Sequence, residues 1–135
     1  MILCDASPLV ALINKLDSQH QRCVDALRSI NEQLVTTWAC LTEAMYLLGT
    51  YGGFAAQQQL WGYILDPIIL IHEPRRSDYQ RMFALMEQYQ DTPMDLADAS
   101  LVAAAETLEI KRIFTLDSDF YVYRLHGTEA FEVIS

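Results

Sequence analysis

Four acidic positions recur at equivalent places along this 135-residue chain. Asp5 follows the short apolar run Ile2-Leu3-Cys4. Glu43 and Asp98 each lie near the expected start of a helix, among mostly apolar neighbours at i±3 and i±4. Asp117 and Asp119 follow the apolar run that ends at Leu116. In a parallel sheet, strand ends and the starts of the next helices share one edge, so all four places can converge there. Convergent carboxylates repel one another and hold protons more tightly unless a cation sits among them. Oxygen-only donors suit Mg²⁺ or Mn²⁺. One or two such ions activate water and stabilise a phosphodiester transition state. Each acid also has a structural alternative: a strand-end cap for Asp5, a helix-dipole partner for Glu43, and a cap for one of Asp117 and Asp119. Spacing does not decide which of that last pair would serve the site.

Asp98 is the hardest to explain structurally. Its stripe neighbours are Met94, Leu101, Val102 and Ala105, and a carboxylate on an apolar face is costly unless something pairs with it. The helix that carries it is expected to be capped by Thr92, with Pro93 in its first turn and an Ala-rich body of high helix propensity. Asp95, near a capping-box position, reads as a cap more than as a ligand. Ser7-Pro8 reads as a cap and first turn, and the Ser7 hydroxyl is placed to hydrogen-bond a site acid or a metal water. His20, His72 and His126 are scattered without ligand spacing. Arg75, Arg76 and Arg81 form the one basic cluster, read as a solvated helix start with phosphate contact as the alternative. Trp38 and Trp61 read as packing or partner-facing residues. There is no glycine-rich phosphate loop.

The elements that would position these residues alternate. Apolar, β-branched runs at Ile2–Cys4, Leu34–Thr37, Ile68–Ile71, Arg112–Leu116 and Phe131–Ile134 read as strands. Helices are expected from Leu9, from an Asp17-Ser18 cap to Ile30, over Ala39–Thr50, from Phe54 to Leu65 beyond a break at Gly52-Gly53, over Ser77–Tyr89 with Tyr79, Met82, Phe83, Met86 and Tyr89 facing inward, and over the Asp98 segment. Strand and helix alternating in this way indicate an α/β domain with a mainly parallel sheet of about five strands and helices on both faces. One domain is expected to span 1–135. The composition is 52% hydrophobic, enough for a sizeable core, and the net charge of −9 argues against a broad basic nucleic-acid surface. It leaves room for a metal-dependent nuclease, in which divalent cations offset clustered acids. Three scattered cysteines, Cys4, Cys23 and Cys40, point to a reducing, cytoplasmic compartment. The first residues lack the basic region of a signal peptide, and no apolar run has the length of a membrane span.

The segments Leu3-Cys4-Asp5-Ala6-Ser7-Pro8-Leu9, Leu41-Thr42-Glu43-Ala44, Asp98-Ala99-Ser100-Leu101-Val102-Ala103-Ala104-Ala105 and Thr115-Leu116-Asp117-Ser118-Asp119-Phe120 resemble, in order, the four acidic motifs of PIN-domain ribonucleases. The nearest branch is the VapC-like toxins of toxin–antitoxin pairs. The resemblance implies a three-layer α/β/α sandwich and Mg²⁺- or Mn²⁺-dependent cleavage of RNA. It also implies a homodimer, and a small antitoxin that occupies the acidic groove. It matches Asp5, Glu43 and Asp98 to the first three family acids and Asp117 or Asp119 to the fourth. Ser7 fits a position that is commonly Ser or Thr. Asp95 has no firm counterpart and is kept as an auxiliary ligand. Apart from the resemblance, aromatic and Met residues in the middle helices, including Tyr46, Tyr51, Phe54 and Trp61, exceed what one small core needs and point to self-association.

Two rivals stand beside this reading. One is another Mg²⁺-dependent phosphohydrolase on a similar sheet. A haloacid-dehalogenase-like enzyme would need an Asp where Ser7 stands, and a receiver domain would need a phosphoacceptor Asp where His72-Glu73 stands. The other is a non-catalytic module whose acidic groove binds a basic partner.

Overall fold

The computed structural model describes residues 1–135. Five short strands form one parallel sheet: β1 (Ile2–Cys4), β2 (Leu34–Thr37), β3 (Ile69–His72), β4 (Arg112–Phe114) and a C-terminal strand, Glu132–Ile134. Between the last two lies a two-stranded antiparallel hairpin, β5 (Arg124–Leu125) and β6 (Glu129–Ala130), so the C-terminal strand is β7. The sheet order is β3-β2-β1-β4-β7. In β1 all three residues are fully buried, as a strand covered on both faces requires.

Five helices connect the strands: α1 (Ala6–Ile13), α2 (His20–Ser29), α3 (Trp38–Leu65), α4 (Arg76–Gln88) and α5 (Leu96–Leu108). The strand order dictates the layers. The chain steps from β1 to β2 to β3 in one direction, then returns past β1 to β4. Right-handed crossovers put α1–α3 on one face and α4–α5 on the other. The helices pair accordingly, α1 with α2 and α3, and α4 with α5. β1 and β4 therefore flank the point where connections diverge, the place where α/β sheets hold ligands. A contiguous set of 32 buried side chains fills the layers.

Several local readings are corrected. α5 begins at Leu96, and its cap is Asp95, whose Oδ1 accepts from Asp98 N at 2.8 Å; Thr92 and Pro93 lie in the preceding turn. α1 is capped by Asp5, not Ser7: Ala6 N donates to Asp5 Oδ1 at 2.7 Å. α2 starts at His20, because Asp17 spends its carboxylate on a turn, accepting from Gln19 N. In α4 the inward face is Asp78 and Leu85, with Met82 and Tyr89 partly covered, whereas Tyr79, Phe83 and Met86 face solvent. The break at Gly52-Gly53 is a kink within α3 at Gly53 (φ 63°, ψ −154°), a conformation essentially confined to glycine.

Asp78 explains how α4 is seated. Its Oδ1 accepts from Thr107 on α5 at 2.6 Å, and its Oδ2 accepts from Arg75 N at 2.8 Å and pairs with His72 Nε2 at 3.2 Å. One buried carboxylate thus ties β3, α4 and α5 together. Burial alone would raise its pKa, but these donors outweigh burial and lower it.

Candidate active site

Asp5 leaves the central strand β1 at the sheet's carboxyl edge and is 6% exposed. Its Oδ1 is held by Ala6 N and its Oδ2 by Thr115 Oγ1, both at 2.7 Å. Thr115 is the residue after the neighbouring strand β4, so the pairing of β1 with β4 sets this bond. The Thr115 hydroxyl also accepts from Asp117 N at 3.0 Å, which fixes the next acid. Asp117 caps a 3₁₀ turn at Ser118–Tyr121 by accepting from Asp119 N. Ser7 Oγ accepts from Leu116 N at 3.3 Å, so it joins α1 to this same loop.

Asp98 arrives from the other layer, at the start of α5, and is 8% exposed. All its expected stripe neighbours, Met94, Leu101, Val102 and Ala105, are buried. Its Oδ2 accepts from the fully buried Tyr123 hydroxyl at 3.2 Å and weakly from Asp95 N. Glu43, in contrast, does not point into the core. Of the neighbours expected to bury it, Cys40 is buried and Ala39 partly buried, but Tyr46, Leu47 and Thr50 are exposed, and so is Glu43. It stands on the open rim, where a helical face meets the edge groove.

Electrostatics show which acids share the groove. Burial raises the Asp5 pKa, and the charges of Asp117 and Asp95 add to it against the Thr115 and Ala6 hydrogen bonds. Asp98 is raised to about 7 by burial first, then by Asp95, Asp5 and Asp117. Glu43 is raised by partial burial, then by Asp95, Asp5 and Asp117. The charges of Asp5, Asp95 and Asp117 are therefore felt at both Glu43 and Asp98. Asp119 acts on Tyr123, whose hydroxyl is pushed up by burial and by Asp98. None of the five acids has a Lys, Arg or His partner. No three of them are close enough to close round an ion unaided. Cys40, fully buried, sits 3.8 Å from Asp5 Oδ1, and burial with the Asp5 charge pushes its thiol far up.

Thr115, Tyr123 and Cys40 touch site acids without having been singled out for it. Thr115 was legible in principle as a hydroxyl next to Asp117 at a strand end. Tyr123 carried no signal, since nothing in its spacing ties it to Asp98.

Set against known families, residues 2–125 match the family model of the PIN domain. The chain belongs to the PIN-domain family. Solved structures agree on the fold of this PIN domain. It is similar to the Mycobacterium tuberculosis toxin VapC20, described as cleaving the sarcin–ricin loop, with TM-score 0.84 and 19% identity, covering 90% of this chain and 94% of that one. It is similar to a chain of a toxin–antitoxin complex from Klebsiella pneumoniae, with TM-score 0.69 and 21% identity over 89% and 90% of the two chains. It is also similar to a chain of VapBC2 from Rickettsia felis, solved bound to a DNA fragment from its promoter, with TM-score 0.69 and 15% identity over the whole of both chains. No curated protein sequence matches this PIN domain.

Proposed function

We propose that this PIN domain is a Mg²⁺- or Mn²⁺-dependent endoribonuclease, the toxin of a toxin–antitoxin pair. The observation that carries the reading is the set of acids at the β1/β4 switch point, with no cationic side chain among them, where burial and neighbouring carboxylates raise the pKa of Asp5, Glu43 and Asp98. That donor set fits a divalent ion: it is all carboxylate oxygen, and its repulsion is what an ion relieves. The incomplete closure of the acids fits too, because Mg²⁺ is commonly held by one or two carboxylates with water and substrate phosphate completing its shell.

Asp5, Asp98 and Asp117 would hold the ion, with Asp119 as the alternative fourth acid and Asp95 auxiliary. When bound, the ion supplies positive charge against the phosphate and eases deprotonation of water. Asp5 is locked in orientation by Thr115 and Ala6, and Asp117 by Asp119 N. Glu43, solvent-facing on the rim, orients the attacking water or adds a ligand. The water oxygen bonds to phosphorus as the bond to the leaving ribose oxygen breaks, and the proton lost by water ends on that oxygen.

Two partners accompany the reading. A small antitoxin would lie over the acidic groove, supported by the fold's likeness to chains from toxin–antitoxin complexes. A second copy would form a homodimer through exposed apolar residues of α3, including Tyr46, Tyr51, Phe54 and Trp61. No helix is long and apolar enough to cross a membrane.

The test is cleavage of single-stranded and hairpin RNAs with Mg²⁺, Mn²⁺ or chelator, by the parent and by Asp5→Asn. Cleavage that needs the ion and falls at least 100-fold in Asp5→Asn is expected. Binding of a basic peptide in the groove without any cleavage would hand the function to the interaction-module rival.

A further inference from the structure

Beside the acids, at the carboxyl ends of β2 and β3, a cleft of about 120 Å³ lies between the first turns of α3, α4 and α5. It shares a wall with the acidic centre. The Thr37 and Ser100 hydroxyls hydrogen-bond at 2.7 Å, and Ser100 Oγ donates to the Ala97 carbonyl at 2.7 Å. On the far side of that wall, Cys40 touches both the same carbonyl and Asp5. Ala97 precedes Asp98.

The lining is largely apolar, with Met82, Leu96 and the Trp38 indole. Trp38 is 44% exposed, and its Nε1 donates to Glu73 Oε1 at 3.1 Å, which steadies the ring. His72 contributes an edge: its Nε2 is taken by Asp78, while its Nδ1 has no partner and is not sealed from solvent. Arg75 and Arg76, both exposed, directly follow the lining residue Pro74 at the start of α4. Six of the nine Lys and Arg side chains are engaged with carboxylates or other protein oxygens. Arg75 and Arg76 are not. In a chain of net charge −9, two free guanidiniums are thus carried between Pro74 and Asp78, two residues that line an aromatic cleft one wall away from the acids.

We propose that this cleft is a nucleobase subsite: one base of the RNA strand, near the scissile phosphate, stacks on Trp38 while Arg75 and Arg76 meet the adjoining phosphates. The assignment rests on the ribonuclease reading. A flat base on an aromatic ring, with cations on the backbone, is how single-stranded RNA is generally held. An apolar side chain of a protein partner would fill the cleft but leave the His72 nitrogen and both guanidiniums unmatched.

The test uses the full chain with Trp61→Phe, so that Trp38 is the only indole. Oligoribonucleotides with an abasic position walked across the cleavage site are cut in Mg²⁺ or Mn²⁺, and their binding is followed by indole fluorescence with ion and with chelator. One abasic position should lower kcat/KM about tenfold or more and abolish the fluorescence change. Trp38→Ala should show that loss with the intact oligonucleotide and lose little more with that abasic one, and Trp38→Phe should recover part of it. The pair Arg75→Gln with Arg76→Gln should reduce the slope of log affinity against log salt by about 1.4, for two single-strand phosphate contacts. Losses that multiply independently at every position, in variants with parental circular dichroism, would overturn the subsite. So would a fluorescence response to N-acetylphenylalaninamide and none to RNA, which would give the cleft to a protein partner. Base-dependent quenching without cleavage would uphold the subsite and defeat the ribonuclease reading. No quenching and no cleavage would defeat both.

Discussion

Asp98 concentrates the conflict between burial and charge. Its folded pKa is raised to about 7 from an ordinary carboxylate value, so the folded state binds its proton more tightly than the unfolded chain does. Stability from this group is therefore greatest at low pH and falls as pH rises from about 4 to about 7. Asp98→Asn removes that fall. In chelator the variant should gain on the parent across this window and be more stable by about 1 kcal/mol or more at pH 8, one pKa unit being worth about 1.4 kcal/mol. Denaturant midpoints at pH 4 and pH 8 check it, and added Mg²⁺ should raise the parent's midpoint but not the variant's. RNA cleavage should fall at least 100-fold. A destabilised variant that cuts RNA at the parent rate would remove Asp98 from the site. Thr115→Val is the complementary change. It keeps the shape but strips Asp5 of its Oδ2 donor and Asp117 N of its acceptor. A loss of about 1–3 kcal/mol is expected in urea titrations, with a further upward drift of the Asp5 pKa measurable by carboxyl carbon NMR.

Within elements, α3 offers a clean comparison of two glycines. Gly53 sits at φ 63° with open space around it, so a side chain there meets backbone strain and no clash. Gly62 lies in regular helix, also with open space. Gly53→Ala should lower stability by about 1–3 kcal/mol, and Gly62→Ala should raise it by about 0.5–1 kcal/mol; thermal melts of the two variants would show opposite shifts. The same contrast marks what could be read from sequence. The five strands of the main sheet were legible to within two residues because short apolar runs set between helical segments allow few alternatives. Asp98's buried stripe was legible because Met94, Leu101, Val102 and Ala105, all at helical spacing from it, are apolar. Helix starts were not. Asp5, Ser7, Asp17, Thr92 and Asp95 are all chemically able to cap, and only the tertiary path decides which one does. The outward face of α4 was misread for a related reason. Tyr79, Phe83 and Met86 are as apolar as a core stripe, yet Asp78 is turned inward by His72 on β3 and by Thr107 on α5, which lies 29 residues away. Glu43 was misplaced by the same logic, since apolar Tyr46 and Leu47 are not buried beside it. The β5–β6 hairpin was missed altogether. Its strands are two residues long, and its turn, with His126 and Gly127 both at positive φ, carries only a weak signal.

For the molecule as a whole, apolar surface left uncovered is the main unexplained quantity. Tyr46 and Phe54 are 73% and 70% exposed on α3, and Phe83 is 71% exposed on α4. Patches of this kind mark interfaces. Sedimentation equilibrium at micromolar concentrations should give a dimer, and Phe54→Glu with Tyr46→Glu should give a monomer with an unchanged circular dichroism spectrum. A parent that stays monomeric at high micromolar concentration would count against self-association through α3.

The sheet order also governs when this molecule can come into being during synthesis. β1 emerges first yet lies at the centre, and its second neighbour, β4, is added only after residue 112. The hydroxyl that orients Asp5 is 110 residues downstream of it. At about 5–20 residues per second, some 6–20 seconds separate translation of Asp5 from translation of Thr115. Throughout that interval the nascent chain holds the first acid without the hydroxyl that orients it and without Asp117. A ribosome making this protein therefore carries an unassembled site until β4 and Thr115 have been made, and fragments released before that point by stalling or by a premature stop codon lack it as well.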